Sequence, residues 1–247
     1  ESNFNRLLQS NIRFSQALWH WCAENKVPFI YASSAATYGN GSVGYGDNES
    51  ELDKLSPLNA YGYSKHFFDR WVQLELSKNQ PTPPQWCGLK FFNVYGPNEY
   101  HKGRMASVVF HAFNQFKETN QIKLFKSEHP SYADGMQVRD FIYVKDAVKI
   151  IIFFLNNNNF SGLYNAGTGK AETFKALAEA VLINTKGQPD DIKYIEMPND
   201  LKGKYQYYTQ ATMNKINSIG FNDNFMNLKE GVTDYLENYL LTSDRYA

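Results

Sequence analysis

Short, mostly apolar runs alternate along this chain with longer segments in which apolar residues recur at helical spacing. Residues 29–34, 87–92 and 141–144 are such runs, and residues 60–78 show the helical spacing between two of them. Strands without a polar face are buried on both sides, as in parallel sheets covered by helices. The alternation therefore predicts an α/β fold built on a doubly wound parallel sheet.

Two regions are less regular than this pattern and predict a smaller, mixed α/β lobe. They are residues 95–137 and residues 171–247. The sheet domain then consists of residues 1–94 and 138–170. A chain of 247 residues is long enough for one large domain with such a lobe.

Composition argues against several classes of function. Lysine plus arginine and aspartate plus glutamate number 25 each, a balance that argues against a nucleic-acid-binding protein. No apolar run approaches the roughly 18 residues that a membrane-spanning helix needs. The two cysteines are too few for a disulfide framework and indicate a reducing, cytoplasmic location, and the polar N-terminal residues are not typical of a signal peptide. The scattered histidines and cysteines show no metal-site spacing.

The strongest chemical signal is the segment Tyr61-Gly62-Tyr63-Ser64-Lys65. Residues four positions apart share one face of a helix, so Tyr61 and Lys65 point the same way. A free tyrosine has a pKa of about 10, and a neighbouring ammonium favours the phenolate and lowers that value. The pair therefore suits acid–base chemistry, although the same spacing also occurs by chance in helices.

Polar side chains follow two of the predicted strands at the point where each strand ends. Ser34 ends the run 29–34, and Asn93 follows the run 87–92. Ligands of open α/β sheets bind outside the carboxyl ends of the strands. A Ser34 hydroxyl at that edge can hydrogen-bond the substrate oxygen whose proton Tyr61 takes.

At these residues the chain resembles the extended short-chain dehydrogenase/reductase family of nucleotide-sugar enzymes. The resemblance is carried by Ser34, Tyr61, Lys65 and residues 92–97, 139–144 and 164–169. It implies a Rossmann-like domain that binds NAD(P), completed by the smaller lobe, which binds the substrate. It also implies that Tyr61 is the acid–base residue, that Lys65 orients the nicotinamide ribose and that Ser34 positions the sugar hydroxyl.

Within this family, the chain resembles the ADP-glyceromanno-heptose 6-epimerases. This resemblance is carried by residues 31–39, 99–107 and 201–206. Dehydratases of the family place an acidic pair directly after the active-site hydroxyl, whereas Ala35 and Ala36 follow Ser34 here. The missing carboxylate disfavours elimination and favours epimerisation. The implied reaction inverts C6 of ADP-D-glycero-β-D-manno-heptose, a precursor of the lipopolysaccharide inner core.

The resemblance implies a mechanism and a set of site residues. Bound NADP, or else NAD, stores a hydride transiently while Tyr61 and Lys102 act as acid–base groups on opposite sides of C6. Cofactor contacts are implied for Asn11, Lys65, Val94 and Lys102. Substrate contacts are implied for Ser34, Asn93, Arg104, His111, Phe125, Lys126, Ser127, Glu128, Arg139 and Tyr205. A homo-oligomer, with a pentamer as the best expectation, is implied as well.

Several of these residues also have ordinary structural interpretations. Lys102 can be a solvated loop lysine, Arg139 can pair with neighbouring Asp140, and His111 can be a structural residue of a helix. Asn11 can be a polar residue in the first turns of a helix. Residues 167–169 form an incomplete phosphate loop and are better interpreted as a tight turn from a strand to a helix.

The chain departs from the family pattern in three places. Nothing before Phe29 contains the glycine-rich turn that holds the cofactor pyrophosphate, so the first half of the dinucleotide-binding domain is absent from the sequence. A truncated sequence explains this better than a natural fragment, and such a chain is not expected to hold NADP by itself. Arg104 stands where these epimerases usually have a small serine, and the stretch 129–138 is longer than usual.

Two alternative functions remain. One is a different nucleotide-sugar epimerase, of the UDP-hexose 4-epimerase type. Residues 101–103 favour the heptose epimerases over this alternative. The other is a non-catalytic sugar-nucleotide-binding protein. The absent cofactor segment favours that alternative, and the presence of Ser34, Tyr61, Lys65 and Lys102 opposes it.

Overall fold

A computed structural model describes residues 4–199 and 205–246 of the chain, which form two compact units. The first unit contains Glu1–Phe92, Lys149–Gly167 and Ala211–Asn222. The second unit contains Asn93–Val148, Thr168–Gln210 and Asp223–Ala247.

Helices and strands alternate through most of the described chain. The strands are Phe29–Ser34 (β1), Trp86–Phe91 (β2), Asn93–Tyr95 (β3), Ile122–Phe125 (β4), Val138–Tyr143 (β5), Gly162–Ala166 (β6), Ala171–Thr173 (β7) and Ile192–Ile195 (β8). The α-helices are Phe4–Leu7 (α1), Phe14–Asn25 (α2), Ala60–Leu76 (α3), Val108–Thr119 (α4), Val144–Asn156 (α5), Phe174–Thr185 (α6), Asn214–Ser218 (α7) and Leu228–Tyr235 (α8). Wider π-helical turns occupy Leu8–Arg13 and Leu236–Leu240, and tighter 3₁₀ turns occupy Ala35–Tyr38, Glu49–Lys54, Tyr100–Met105 and Pro189–Asp191.

The sheet of the first unit is parallel and has the strand order β1-β2-β6. Ser34 pairs with Phe91 and Phe91 pairs with Ala166, so the three strands end together. This register places the residues that follow each strand at one carboxyl edge. The predicted α/β fold with a parallel sheet is confirmed.

Aromatic side chains form much of the core of the first unit. The Trp19 ring is completely buried, and its centroid lies 6.1 Å from Phe29, 5.9 Å from Trp71 and 6.1 Å from Trp86. These rings come from α2, β1, α3 and β2 respectively. Trp19 therefore joins two helices to two neighbouring strands of the sheet.

The second unit contains two small sheets and a separate core. In one sheet β5 pairs in parallel with β3 and antiparallel with β7, and in the other β4 pairs in parallel with β8. Helices α4, α6 and α8 contribute buried side chains to this core, among them Phe113, Leu177, Val181, Val232 and Tyr235. The mixture of parallel and antiparallel pairs fits the mixed α/β lobe predicted from the sequence.

The two units divide the chain differently from the sequence-based domains. Residues 138–148 belong to the second unit because β5 pairs with β3 and β7. Residues 211–222 belong to the first unit, where α7 lies against β6. The turn 167–169 leads from β6 into β7 and not directly into a helix, which corrects the sequence-based interpretation. Among the described helices, none has the length and apolar character needed to cross a membrane.

Replacing Trp19 by alanine should lower the free energy of unfolding by about 3–5 kcal/mol, because a fully buried ring is lost from the core. Trp21 on the same helix is 54% exposed and provides the control, so Trp21→Ala should change stability by less than about 0.5 kcal/mol. Urea unfolding followed by circular dichroism measures both values. Equal losses in the two variants would contradict this description of the core.

Candidate active site

Ser34 is fixed at the carboxyl end of β1 by the turn that follows it. Its hydroxyl accepts a hydrogen bond of 3.1 Å from the Ala36 backbone N–H and so caps the 3₁₀ turn. The Thr37 hydroxyl donates to the Ser34 carbonyl oxygen at 2.8 Å. Both the side chain and the backbone of Ser34 are therefore held where the sheet opens toward a ligand.

Helix α3 brings Tyr61 and Lys65 to the same edge. Asn59 caps this helix, since its side-chain oxygen accepts from the Gly62 N–H at 2.9 Å. A Cβ atom on Gly62 would lie 2.7 Å from the Ala36 carbonyl oxygen, so only glycine lets the helix approach the turn this closely. The short approach places Tyr61 beside Ser34.

Tyr61 and Ser34 interact directly, and the interaction affects the acidity of the phenol. Burial raises the pKa of Tyr61 above its ordinary value, while a hydrogen bond with the Ser34 side chain lowers the pKa by a smaller amount. The structure corrects the expectation that Lys65 lowers this pKa. The Lys65 Nζ atom lies 6.0 Å from the centroid of the Tyr61 ring and donates to the Ala32 carbonyl oxygen at 2.9 Å.

Lys65 and Tyr61 together fit the ribose of a nicotinamide cofactor. Burial lowers the pKa of Lys65, and the Asp69 carboxylate opposes this effect. An ammonium has three N–H donors, and the bond to Ala32 uses one of them. The Tyr61 side chain is 36% exposed, so its hydroxyl is also within reach of a ligand. This donor set suits a group with neighbouring hydroxyls.

Asn11 lies on the π-helical turn Leu8–Arg13 and contacts α3, the helix that carries Tyr61 and Lys65. Its side-chain N–H donates to the Ser64 hydroxyl at 2.9 Å, and that hydroxyl donates to the Tyr61 carbonyl oxygen at 2.7 Å. Single π-helical turns are frequent at functional sites. The first unit thus brings together four of the predicted residues: Asn11, Ser34, Tyr61 and Lys65.

In the second unit, Arg139 packs against two aromatic rings, Phe174 and Tyr205, whose centroids lie 6.5 Å apart. Its guanidinium carbon is 5.5 Å from the centroid of Phe174 and 5.1 Å from that of Tyr205. Phe125 extends the cluster, with its centroid 6.4 Å from that of Tyr205. The sequence predicted Phe125, Arg139 and Tyr205 as substrate contacts and missed Phe174. Phe174 begins α6 directly after its cap Thr173, and no motif in the sequence pointed to it.

Asp140, the alternative partner considered for Arg139, holds the turn after β6. Its carboxylate accepts hydrogen bonds of 2.8 Å and 2.7 Å from the N–H and the hydroxyl of Thr168, and one of 2.9 Å from the Gly169 N–H. This carboxylate explains the tight turn at residues 167–169. The presence of Gly167 and Gly169 in this turn is therefore explained without a phosphate-binding role.

Residues 126–128, predicted to contact the substrate, follow β4. Lys126 forms a partly exposed ion pair with Glu196, with an N–O distance of 2.7 Å. The Ser127 N–H donates to Asp134 Oδ1 at 2.8 Å, and the Glu128 N–H donates to the Tyr207 hydroxyl at 3.2 Å. The long stretch 129–138 is thereby connected to β4 through its Asp134 carboxylate.

Lys102 and Arg104 lie exposed on the 3₁₀ turn Tyr100–Met105. The buried Glu99 closes this loop, because its carboxylate accepts from the Ser107 N–H at 2.5 Å and from the Ser107 hydroxyl at 2.6 Å. The Tyr235 hydroxyl donates to the same carboxylate at 3.1 Å. The sequence did not indicate Glu99 as a functional residue, because nothing in its spacing pointed to Ser107 or Tyr235.

The remaining predicted residues lie on other elements of the second unit. Asn93 is exposed at the start of β3, and Val94 beside it is half-buried. His111 is half-buried on α4, with its ring centroid 6.2 Å from that of Phe110. Of the segment 201–206 used in the sequence comparison, residues 201–204 lie outside the described residues.

Comparison with known proteins identifies the family. The model of the NAD dependent epimerase/dehydratase family matches residues 1–167. The chain belongs to the NAD dependent epimerase/dehydratase family. This finding confirms the resemblance drawn from Ser34, Tyr61 and Lys65, and it makes the site of the first unit the candidate active site of a family member.

Named relatives within the family are similar over the whole chain. A Fusobacterium nucleatum protein named ADP-L-glycero-D-manno-heptose-6-epimerase is 52% identical, over 100% of this chain and 75% of its own length. A Nitratidesulfovibrio vulgaris protein of the same name is 46% identical, over 100% of this chain and 74% of its own. The crystal structure of the Helicobacter pylori protein of that name superposes with a TM-score of 0.77 at 28% identity, covering 96% of this chain and 67% of that one. The chain thus spans about three quarters of the length of these curated relatives.

Substituting Gly62 by alanine tests the close approach of α3 to the Ala35–Tyr38 turn. Alanine within a helix ordinarily stabilises by roughly 0.5–1 kcal/mol relative to glycine. Here we expect a loss on the order of 1 kcal/mol, because the added Cβ meets the Ala36 carbonyl oxygen. Chemical unfolding measures the sign of the change, and a more stable Gly62→Ala variant would refute the described approach.

Proposed function

We propose that this chain catalyses the redox epimerisation of ADP-D-glycero-β-D-manno-heptose at C6, giving the L-glycero epimer for the lipopolysaccharide inner core. The reaction class rests on one observation, the convergence of the Ser34 hydroxyl, the Tyr61 phenol and the Lys65 ammonium at one sheet edge. The assignment of the substrate is based on the curated relatives, which are named ADP-L-glycero-D-manno-heptose-6-epimerase.

The residues after Ser34 support epimerisation over dehydration. Ala35 is buried and Ala36 is half-buried, and neither carries a carboxylate. Elimination of water from a sugar needs a proton donor for the leaving hydroxyl. Alanines at these positions leave Ser34 and Tyr61 as the polar side chains of this turn and helix end that face a ligand.

NADP is the cofactor that we assign, with NAD as the alternative. When bound, a nicotinamide cofactor would supply reversible hydride transfer at the substrate carbon. Lys65 and Tyr61 would hold its ribose through their N–H and O–H groups, and Asn11 and Val94 complete the cofactor contacts that we assign. The amine of Lys65, whose Nζ atom lies 6.0 Å from the centroid of the Tyr61 ring, would orient this ribose.

Tyr61 and Ser34 act on the substrate hydroxyl. Ser34 donates or accepts a hydrogen bond to fix the hydroxyl, and Tyr61 removes its proton during oxidation and restores a proton during reduction. The hydrogen bond from Ser34 is the contribution that favours the ionised phenol in this structure. Loss of Ser34 therefore affects both the position of the substrate and the acidity of Tyr61.

Inversion requires a proton donor for each face of the reacting carbon, and Lys102 is the second group that we assign. Its loop is fixed by the buried Glu99 carboxylate, and its backbone N–H donates to the Glu99 carbonyl oxygen at 3.0 Å. The side chain of Lys102, exposed on this loop, would supply the proton transfer that Tyr61 does not supply.

Arg139 is assigned to the diphosphate of the substrate. A guanidinium presents parallel N–H donors that match two phosphate oxygens, and that of Arg139 packs against the rings of Phe174 and Tyr205. The other substrate contacts that we assign are Asn93, Arg104, His111, Phe125, Lys126, Ser127 and Glu128.

We also propose a cytoplasmic homo-oligomer, with a pentamer as the specific expectation. Cys22 and Cys87 are both buried free thiols, which is typical of proteins in a reducing compartment. A homo-oligomer is what the resemblance to the heptose epimerases implies. Native mass spectrometry measures the subunit number.

The experiment that tests the function uses the intact gene product and ADP-D-glycero-β-D-manno-heptose, with the products followed by NMR. We expect the L-glycero epimer to form without an added oxidant. Inversion of a UDP-hexose in place of the heptose would support the 4-epimerase alternative. Binding of the heptose nucleotide without turnover would support the non-catalytic alternative.

Replacing Tyr61 by phenylalanine should lower kcat by about 10²–10⁴-fold, because the proton acceptor is removed while the ring remains. Tyr63 on the same helix is 37% exposed, almost the same as Tyr61 at 36%, and serves as the matched control. Tyr63→Phe should retain the wild-type rate. Equal activity of the two variants would remove Tyr61 from the mechanism.

Replacing Lys102 by methionine should lower kcat by about 10²-fold with little change in KM, because an acid–base group is lost. Lys123, an exposed lysine on β4, gives the control variant Lys123→Met, which should keep the wild-type rate. Steady-state kinetics of both variants measures the difference. If Lys102→Met were as active as its control, Lys102 would be the solvated loop lysine of the alternative interpretation.

A further inference from the structure

We propose that Asp69, Lys90 and Thr37 form a buried positioning network that fixes Ser34 for its contact with Tyr61. This inference rests on the proposed function for its catalytic consequence. None of the three residues was predicted as part of the site. Each is almost completely buried, so none reaches a ligand directly.

The network is a continuous chain of short hydrogen bonds. The Lys90 Nζ atom lies 2.7 Å from Asp69 Oδ2 and donates to the Thr37 hydroxyl at 2.8 Å. The Thr37 hydroxyl in turn donates to the Ser34 carbonyl oxygen at 2.8 Å. The chain therefore runs from the middle of α3, through β2, to the backbone of Ser34.

The Asp69 carboxylate also holds β1 directly. Ser33 donates to Oδ2 at 2.7 Å and Tyr31 donates to Oδ1 at 3.1 Å. Asp69 is one helical turn beyond Lys65 and two turns beyond Tyr61 on α3. The helix that carries the acid–base tyrosine is thus bonded to the strand end that carries Ser34.

A gain in stability alone does not explain well why the Asp69–Lys90 pair is buried. Burying an ion pair has a desolvation cost that its mutual attraction often does not exceed, and well-packed apolar residues frequently replace such pairs without loss. A fully satisfied buried network does, however, fix the positions of the groups that it joins. Here the N–H donors of Lys90 meet Asp69, Thr37 and the face of the Tyr38 ring, whose centroid is 5.1 Å away. The network is therefore suited to hold one conformation of the Ala35–Tyr38 turn.

The turn conformation matters because Ser34 has two roles in it. Its hydroxyl caps the turn by accepting from Ala36, and it hydrogen-bonds Tyr61. The neutral Ser34 from the strand end is hydrogen-bonded to the Tyr61 phenol, and Lys65 on the same helix lies with its Nζ atom 6.0 Å from the ring centroid. The Asp69 carboxylate, further along α3, is paired with Lys90 of β2. A change in the turn thus alters the Tyr61 environment through Ser34.

The Thr37 hydroxyl is the link to remove, since substitutions of Asp69 or Lys90 leave a buried charge without its partner. Thr37→Val removes the hydroxyl and keeps the branched shape, and Thr37→Ser keeps the hydroxyl and loses a methyl group. In the intact gene product with cofactor bound, Thr37→Val should lower kcat by about 10–100-fold with KM changed less than about threefold, because a small displacement of a catalytic group is costly. Thr37→Ser should recover most of that loss. If Thr37→Val does not fold, Thr37→Ala provides a second variant without the hydroxyl, and the same result is expected of it.

A titration measures the positioning without turnover. In protein labelled with ¹³C at the tyrosine ring carbon that bears the hydroxyl, the Tyr61 NMR signal is assigned by its loss in Tyr61→Phe. Thr37→Val should raise the pKa of Tyr61 relative to the wild type, because the hydrogen bond from Ser34 is weakened, and Thr37→Ser should not.

Two results would overturn the inference. One is an unchanged Tyr61 titration and an unchanged kcat in Thr37→Val, which would show that the turn does not depend on the hydroxyl. The other is equal impairment of Thr37→Ser and Thr37→Val, which would assign Thr37 to packing through its methyl group. If the wild-type protein does not convert the heptose nucleotide, the proposed function fails, and the Tyr61 titration still decides the positioning role.

Discussion

The Asp69 carboxylate is the point where three elements of the first unit are joined. It belongs to α3, it accepts hydrogen bonds from Tyr31 and Ser33 on β1, and it pairs with Lys90 on β2. The carboxylate is completely buried, so each of these bonds replaces water that the group has lost. This one group therefore ties α3 to the two paired strands β1 and β2.

The candidate chemistry follows from that junction. Parallel pairing ends β1 and β2 at one edge, and the close approach of Gly62 to Ala36 brings the start of α3 to that edge. Ser34, Tyr61 and Lys65 therefore lie together at this edge, and each of them belongs to a strand or a helix. In the second unit the same kind of anchoring recurs, since the buried Glu99 carboxylate closes the loop that carries Lys102. In both places a buried carboxylate behind the exposed group keeps the backbone of the candidate site in position.

The sequence predicted those parts of the fold and site that depend on local pattern. Apolar runs gave the parallel strands, and the four-residue spacing of Tyr61 and Lys65 gave a shared helix face. The Asp69–Lys90 pair was missed because Lys90 lies in a run that otherwise indicates a buried strand, and no spacing rule joins it to a residue on α3. The acidity of Tyr61 was misjudged for the same reason, since burial and the contact with Ser34 arise only when strand and helix are assembled. The division into units differed because β5 finds its partners in β3 and β7.

The central claim is that the chain inverts its substrate by transient oxidation at C6, and the hydrogen on that carbon tests the claim directly. ADP-D-glycero-β-D-manno-heptose deuterated at C6 is incubated with the intact gene product in ordinary water. Mass spectrometry then measures the mass of the product, and NMR shows which carbon carries the deuterium. We expect an L-glycero epimer that keeps its deuterium, because the hydrogen leaves C6 and returns to it without exchange with solvent. An epimer that has exchanged its deuterium for solvent hydrogen would show that inversion does not proceed by transient oxidation and hydride return at C6.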